Sequence, residues 1–191
     1  MRKRVTRLRL LAIATAALIM GATGLHILPA NATGPEMVTL EDGSKTQKGS
    51  KPEDGKWMTP DGEPTYRIKP DGMLDWYSYS GFRRYHSECH VCHGPEGEGS
   101  TYAPALKDSL KTMSYGDFIG VVASGRIRDL PGGQESVMPA LGDNKNVMCY
   151  IDDIYAYLKG RSDGAIGRGR PVGRDEKPDS AKAYDKACFG E

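Results

Sequence analysis

The sequence has 191 residues, of which 26 are basic and 25 are acidic, and its formal net charge is +1. No basic stripe with interleaved aromatic residues occurs, so nothing indicates a nucleic-acid partner. The length fits one domain after any processing.

The first 32 residues resemble an export signal. A basic segment at 2–9 precedes an apolar, Ala-rich stretch at 10–25, and Ala30-Asn31-Ala32 is a cleavage site of the A-x-A type. The apolar stretch is short for a membrane span, and two glycines interrupt it. We therefore predict cleavage near Ala32 and a periplasmic protein without a permanent membrane anchor; an uncleaved anchor is the alternative.

Removal of residues 1–32 changes the charge balance. This segment carries five basic residues and no acidic ones, so 21 basic and 25 acidic residues remain. A mildly acidic surface suits docking to a protein partner.

Residues 33–73 form a polar leader that is predicted to be extended. It is dense in Gly, Pro, Lys, Asp and Glu, and Pro-Asp-Gly occurs at 60–62 and again at 70–72, which predicts two turns. Two interpretations remain open: a disordered leader, or an extended arm laid over the domain.

The first helix of the packed domain is predicted to begin after Leu74. Gly81, Tyr85 and Cys89 are spaced at i, i+4 and i+8, so they share one helix face. A glycine inside a helix is costly unless another backbone must come close. We therefore expect a second helix to cross at Gly81.

An apolar stripe predicts that second helix at 145–159. Its N-cap is Asp143 or Asn144, and Gly160 is expected to end it. The stripe consists of Val147, Ile151, Ile154 and Leu158.

A third helix is predicted at 114–124, where Ser114 and Asp117 are close to a capping box. No strand pattern of any length is evident, so the predicted fold class is all-α. The tail at 161–191 has few apolar residues to bury.

Residues 89–93 read Cys-His-Val-Cys-His, the signature of covalent haem c attachment. Cys89 and Cys92 can each form a thioether to a haem vinyl group, and His93 is then the proximal iron ligand. Half of a zinc site or a thioredoxin-like redox pair are the alternatives. The histidine directly after the second cysteine favours one covalent haem.

A low-spin electron carrier needs a sixth iron ligand, for which His86, Met113, Met138 and Met148 are the candidates. His86 lies on the helix that carries the haem cysteines, and Met148 lies inside the last predicted helix. Met138 is favoured because it lies in a loop before that helix, stiffened by Pro139.

Two further haem contacts are predicted. The carbonyl of Pro104 is a candidate to orient the His93 ring. Arg126 and Arg128 are candidates to pair with the haem propionates, although both could equally be solvated surface charges.

This order of motifs resembles class I c-type cytochromes over residues 75–160. The matching features are Gly81, Tyr85, the haem motif with the glycine after it, Pro104, Met138-Pro139 and an aromatic-rich last helix. The resemblance implies a cytochrome c domain at 74–160, in which a small helical fold surrounds one haem and its N- and C-terminal helices cross.

Cys149 and Cys188 make the resemblance narrower. With this second cysteine pair and its long leader, the sequence is similar to the four-cysteine, methanol-metabolism-related periplasmic cytochromes c. Those proteins accept electrons from PQQ-dependent methanol dehydrogenases. That likeness implies a quinoprotein dehydrogenase as electron donor and a downstream cytochrome or oxidase as acceptor. Export favours a Cys149–Cys188 disulfide that tethers the tail, and two separate thiols are the alternative.

The predicted function is therefore electron transfer by a monomer, not enzymatic catalysis. A peroxidase-like haem enzyme and a gas-binding haem protein are the alternatives. A di-haem peroxidase needs a second haem motif, which the sequence lacks. An open distal site is disfavoured by Met138-Pro139.

Overall fold

The computed structural model describes residues 35–130 and 132–190, so the predicted export signal at 1–32 and its cleavage site lie outside the described residues. In the described part, 39% of the residues are helical and 18% lie in strands. The protein is a mixed α and β structure, and the prediction of an all-α fold is wrong. Within these residues, no helix combines the length and apolar character that a membrane crossing needs.

The segment before the first helix contains two small antiparallel sheets. One has the strand order β1-β2-β6 and the other the order β3-β4-β5. Their bounds are β1 Met37–Thr39, β2 Lys45–Gln47, β3 Lys51–Glu53, β4 Lys56–Met58, β5 Pro64–Thr65 and β6 Arg67–Ile68.

Tight turns connect these strands. Asp54 and Gly55, both with positive φ, form the two-residue loop between β3 and β4, the arrangement of a type I′ hairpin. The two predicted Pro-Asp-Gly turns are confirmed, since Gly62 N–H donates to the carbonyl of Thr59 and Gly72 N–H to that of Lys69.

Polar side chains are buried inside this sheet region, which explains why no strand pattern is visible in the sequence. Ser44, Thr46 and Tyr66 are fully buried, and the Thr46 hydroxyl donates to the Tyr66 carbonyl at 2.7 Å. The Tyr66 hydroxyl in turn donates to the carboxylate of Asp163, just after the last long helix before the tail. Hydrogen bonds, rather than alternating apolar residues, hold these short strands.

Seven α-helices follow within the described residues, and two of them form the centre of the core. Helix α1 has Asp75 as N-cap, whose carboxylate accepts the N–H of Ser78. It crosses α6, which packs along it more extensively than any other element. The helices are α1 Trp76–Glu88, α2 His90–His93, α3 Leu106–Ser109, α4 Tyr115–Ser124, α5 Lys145–Met148, α6 Ile151–Ser162 and α7 Asp179–Phe189.

The predicted third helix is confirmed as α4, which begins after Ser114 with the expected cap. The predicted helix at 145–159 is instead two helices, α5 and α6, and the break between them lies at Cys149 and Tyr150. Gly160 does not end α6. It lies inside the helix, which continues to Ser162, and a Cβ at Gly160 would come within 2.5 Å of the Ile166 side chain.

A two-stranded hairpin lies between α4 and α5, in a region predicted to be loop. Strands β7 (Arg126–Leu130) and β8 (Gln134–Met138) pair antiparallel, with Arg126 opposite Met138 and Ile127 opposite Val137. Met138 is thus the last residue of a strand, and its prediction as a loop residue is wrong.

The tail is anchored to the core at its end. Helix α7 carries Cys188, which forms a disulfide with Cys149 across a Cα–Cα distance of 6.0 Å. The predicted disulfide is confirmed. It joins two segments that are 39 positions apart in the chain.

Candidate haem site

The haem motif begins where α1 ends. Cys89 is the residue between α1 and α2, and α2 carries Cys92 and His93. Both thiols are free of disulfides; Cys89 is partly buried and Cys92 is exposed. Burial raises the pKa of the Cys89 thiol to about 12, so this group is neutral at physiological pH.

The His93 ring is buried and fixed by one hydrogen bond. Its Nδ1 lies 3.0 Å from the carbonyl oxygen of Pro104, the acceptor that the sequence predicts. Burial lowers the pKa of His93, which favours the neutral imidazole that binds metals. With Nδ1 occupied by Pro104, Nε2 is the nitrogen left for a metal.

Tyr85 on α1 holds the loop that follows His93. Its hydroxyl donates to the carbonyl of Gly94 and accepts the N–H of Gly97. The Gly99 N–H donates to the His93 carbonyl. The sequence placed Tyr85 on a helix face but gave no sign that its hydroxyl organises this loop.

A cavity of about 1560 Å³ opens beside the motif, larger than the roughly 300–1000 Å³ of usual small-ligand pockets. Cys89, Cys92 and His93 line it together with side chains from α3, α4, the β7–β8 hairpin and α6. Among the apolar lining residues are Leu106, Phe118, Val122, Val147, Ile154 and Leu158.

These residues fit a covalently bound haem. Two free thiols and one oriented imidazole meet at the wall of a large, mainly apolar cavity, which is the donor set that haem c requires. The zinc alternative is disfavoured because Cys149 and Cys188 are joined to each other. Across residues 35–130 and 132–190, no group of three His, Cys, Asp or Glu side chains could hold a metal.

The structure separates the four candidates for the sixth ligand. Met138 and Met113 line the cavity, whereas Met148 and His86 do not. Met138 is partly buried and packs against the core. The cavity therefore reduces the choice to two methionines.

Close packing positions the backbone of Met138. Gly125, with φ +73, joins α4 to β7, and a Cβ there would lie 2.6 Å from the Met138 carbonyl oxygen. Only a glycine permits this approach. At the same time, Ser136 on β8 donates its hydroxyl to the carbonyl of Tyr102, which ties the hairpin to the loop before α3. Neither contact has a signal in the sequence.

Arg126 and Arg128 both line the cavity and are exposed. They lie at alternate positions of β7, so they share one face of the hairpin with Met138, the partner of Arg126. Neither forms an ion pair with a carboxylate in the part of the chain that the structure describes.

Known proteins with similar sequences are cytochromes. Cytochrome c-553I of Paracoccus denitrificans is 54% identical over 137 residues, which cover 72% of this chain and 60% of that protein. Cytochrome c-555 of Methylococcus capsulatus is 42% identical over 106 residues, which cover 55% of this chain and 76% of that protein. No protein-family model matches the chain.

A solved structure agrees with these relatives. The c-type cytochrome XoxG of Methylobacterium extorquens AM1 is 57% identical and superposes with a TM-score of 0.66, covering 72% of this chain and 84% of that one. Sequence likeness, fold and the haem motif thus agree. The chain belongs to the c-type cytochromes, and its cofactor is covalently bound haem c.

Proposed function

We propose that this chain is a periplasmic one-electron carrier with a single haem c. Cys89 and Cys92 form its thioether bonds, and His93 and Met138 ligate its iron. The observation that carries the proposal is that all four side chains line one large cavity. Bound haem supplies one-electron redox chemistry, and ligation by His and Met favours electron transfer by raising the reduction potential.

The protein's part is to hold these ligands in place. Pro104 accepts the hydrogen bond of Nδ1 and so directs Nε2 of His93 to the iron. On the β7–β8 hairpin, Met138 is held by its pairing with Arg126 and by the close approach of Gly125. Arg126 and Arg128 are proposed to pair with the propionates, because both are cationic residues at the cavity wall.

We further propose that the electron donor is a quinoprotein dehydrogenase that oxidises methanol. The acceptor is a downstream cytochrome or oxidase. Support comes from the resemblance to the four-cysteine group, which rests on the long leader and on the second cysteine pair, Cys149 and Cys188, joined here in a disulfide. The basic and apolar N-terminal segment supports export, since haem c attachment and disulfides both belong to an oxidising compartment.

Stopped-flow reduction tests the donor. The oxidised holoprotein is mixed with methanol-reduced quinoprotein methanol dehydrogenase and, separately, with other quinoprotein dehydrogenases. We expect the methanol enzyme to reduce the haem fastest. Slow reduction by that enzyme, together with fast reduction by another donor, contradicts the methanol assignment but leaves the electron-carrier proposal intact.

A second measurement tests the carrier role itself. The purified protein should be reduced and reoxidised reversibly in a potentiometric titration with one electron per haem. It should neither turn over peroxide nor bind carbon monoxide in the absence of denaturant. Rapid carbon monoxide binding to the reduced protein would instead indicate an open distal site and a gas-binding function.

A further inference from the structure

A second cleft, of about 420 Å³, lies between α1 and the segment that follows α6. None of its lining residues belongs to the haem cavity. Its volume falls within the roughly 300–1000 Å³ of small-molecule sites. We call it the arginine cleft; it is lined by Tyr79, Phe82, Arg83, His86, Arg170 and Arg174.

The three arginines of the cleft have no acidic partner. Across residues 35–130 and 132–190, no carboxylate forms an ion pair with Arg83, Arg170 or Arg174. Asp175 follows Arg174 directly, but its carboxylate pairs with Arg67 and Lys69 instead. Three guanidinium groups around one concave surface therefore create an uncompensated positive potential.

Aromatic side chains hold two of these arginines in place. The Arg174 guanidinium lies 4.3 Å from the ring centre of Trp76 and 5.7 Å from that of Tyr79. Arg170 donates to the Tyr79 hydroxyl at 3.4 Å. Stacking occupies the face of a guanidinium and leaves N–H groups at its edge available. The cleft thus presents partly fixed donors before any ligand is present, which lowers the entropic cost of binding.

His86 adds a nitrogen to the same wall. Its Nδ1 lies 2.8 Å from the carbonyl oxygen of Phe82, so Nε2 is the ring nitrogen that remains for a ligand. The ring is partly buried, with its centre 4.4 Å from that of Phe82.

We propose that the arginine cleft binds a small soluble polyanion that carries at least two phosphate or carboxylate groups. Guanidinium groups bind such oxygens through two parallel N–H donors. A single carboxylate would match one guanidinium and leave the other two without a counter-charge, whereas two oxyanion groups can contact all three. The proposal is independent of the proposed electron-transfer role.

Calorimetric titration of the oxidised holoprotein tests the site, with pyrophosphate and citrate as probes at low ionic strength. We expect saturable binding of one probe molecule per chain, and the tighter probe identifies phosphate or carboxylate as the preferred group. The double variant R170Q/R174Q should weaken binding at least about tenfold. R83Q should weaken it less, because one guanidinium is lost instead of two.

Matched variants separate a site from general charge attraction. K45Q/K51Q removes the same charge from two exposed lysines of β2 and β3, and it should leave the affinity unchanged. R83Q serves as the second test if loss of the Arg174 stacking disturbs folding, since Arg83 is exposed. The reduced haem spectrum of each variant must match that of the parent protein.

Two results would overturn the proposal. The first is no saturable binding of either probe. If the parent protein then binds phosphatidylglycerol vesicles but R170Q/R174Q does not, the arginines serve a lipid surface instead. The second is an equal loss of affinity in K45Q/K51Q and R170Q/R174Q.

Discussion

Gly81 on α1 lies directly against the backbone of Asp153 on α6, so that a Cβ at Gly81 would come within 1.8 Å of the Asp153 carbonyl oxygen. No side chain other than hydrogen fits there. The crossing of α1 and α6 therefore depends on this one glycine, as the sequence predicts from the spacing of Gly81, Tyr85 and Cys89 along one helix face.

Substitution of Gly81 by alanine should separate the two helices. The added methyl group cannot be accommodated without moving α6, and overpacking of this kind costs about 1–3 kcal/mol or more. Urea unfolding of the holoprotein measures the loss. G167A is the matched control, because a Cβ at Gly167 meets no atom within 4 Å. Equal stability of both variants would contradict the close crossing.

The sequence predicts α1 and α4 well because their signals are local. It merges α5 and α6 into one helix and does not predict α7 in the tail. Gly81 and Tyr85 mark one face of α1, and Ser114 with Asp117 caps α4. The strands have no comparable signal. In the β7–β8 hairpin the apolar residues Ile127 and Val137 are 65% and 62% exposed, and Arg126 and Arg128 are exposed as well, so the usual alternation of buried apolar and exposed polar residues is absent.

The haem site likewise combines features that have a local signal in the sequence with features that have none. The haem motif and Pro104 are recognisable from their spacing, and the structure places Pro104 at hydrogen-bond distance from His93. The hairpin that carries Met138 depends on long-range contacts, such as that of Gly125 with the Met138 carbonyl, which no local pattern records. Arg126 becomes interpretable only when its pairing with Met138 is known.

Loss of the Cys149–Cys188 disulfide should destabilise the protein. In the chain-entropy model, a closed loop of this length contributes about 3–4 kcal/mol. Urea unfolding should show that loss in C188S. Treatment with a thiol reductant should lower the stability of the parent protein to that of C188S, and it should leave C188S unchanged. A large further effect of the reductant on C188S would show that the reagent acts elsewhere.

The buried carboxyl of Asp153 should make stability depend on pH. Burial raises its pKa from 3.8 to about 7, against the opposing effects of a Ser80 hydrogen bond and of Lys56. A raised folded-state pKa stabilises the protein fully below the unfolded pKa, and this contribution is lost as the pH rises towards 7.

The variant D153N cannot ionise at this position, so it should not show this loss of stability as the pH rises. Relative to D153N, the parent protein should lose up to about 1.4 kcal/mol of stability per pH unit between pH 4 and 7. Thermal or urea unfolding across this range measures the difference. D61N, at an exposed turn residue, is the control and should run parallel to the parent. Parallel curves for D153N and the parent would rule out the raised pKa.

Arg161 on α6 should be required to hold the loop after the haem motif. Its buried guanidinium donates to the carbonyls of Glu96 and Ile166 and to the carboxylate of Glu98. R161M leaves these acceptors without their donor, which should cost about 2–4 kcal/mol in urea unfolding. R168Q should cost less than R161M, since the Arg168 side chain is 73% exposed and its ion pair is screened by solvent. Similar losses of stability in R161M and R168Q would contradict the requirement for Arg161.

The spectrum of the ferric holoprotein tests the proposed iron ligands most directly. Ligation by methionine gives a characteristic sulfur-to-iron charge-transfer band. Met138 and Met113 both line the cavity, so M138A and M113A form a matched pair. We predict that the band is present in the parent protein and in M113A but absent from M138A. A band that persists in M138A, or that disappears only in M113A, would contradict Met138 as the sixth ligand.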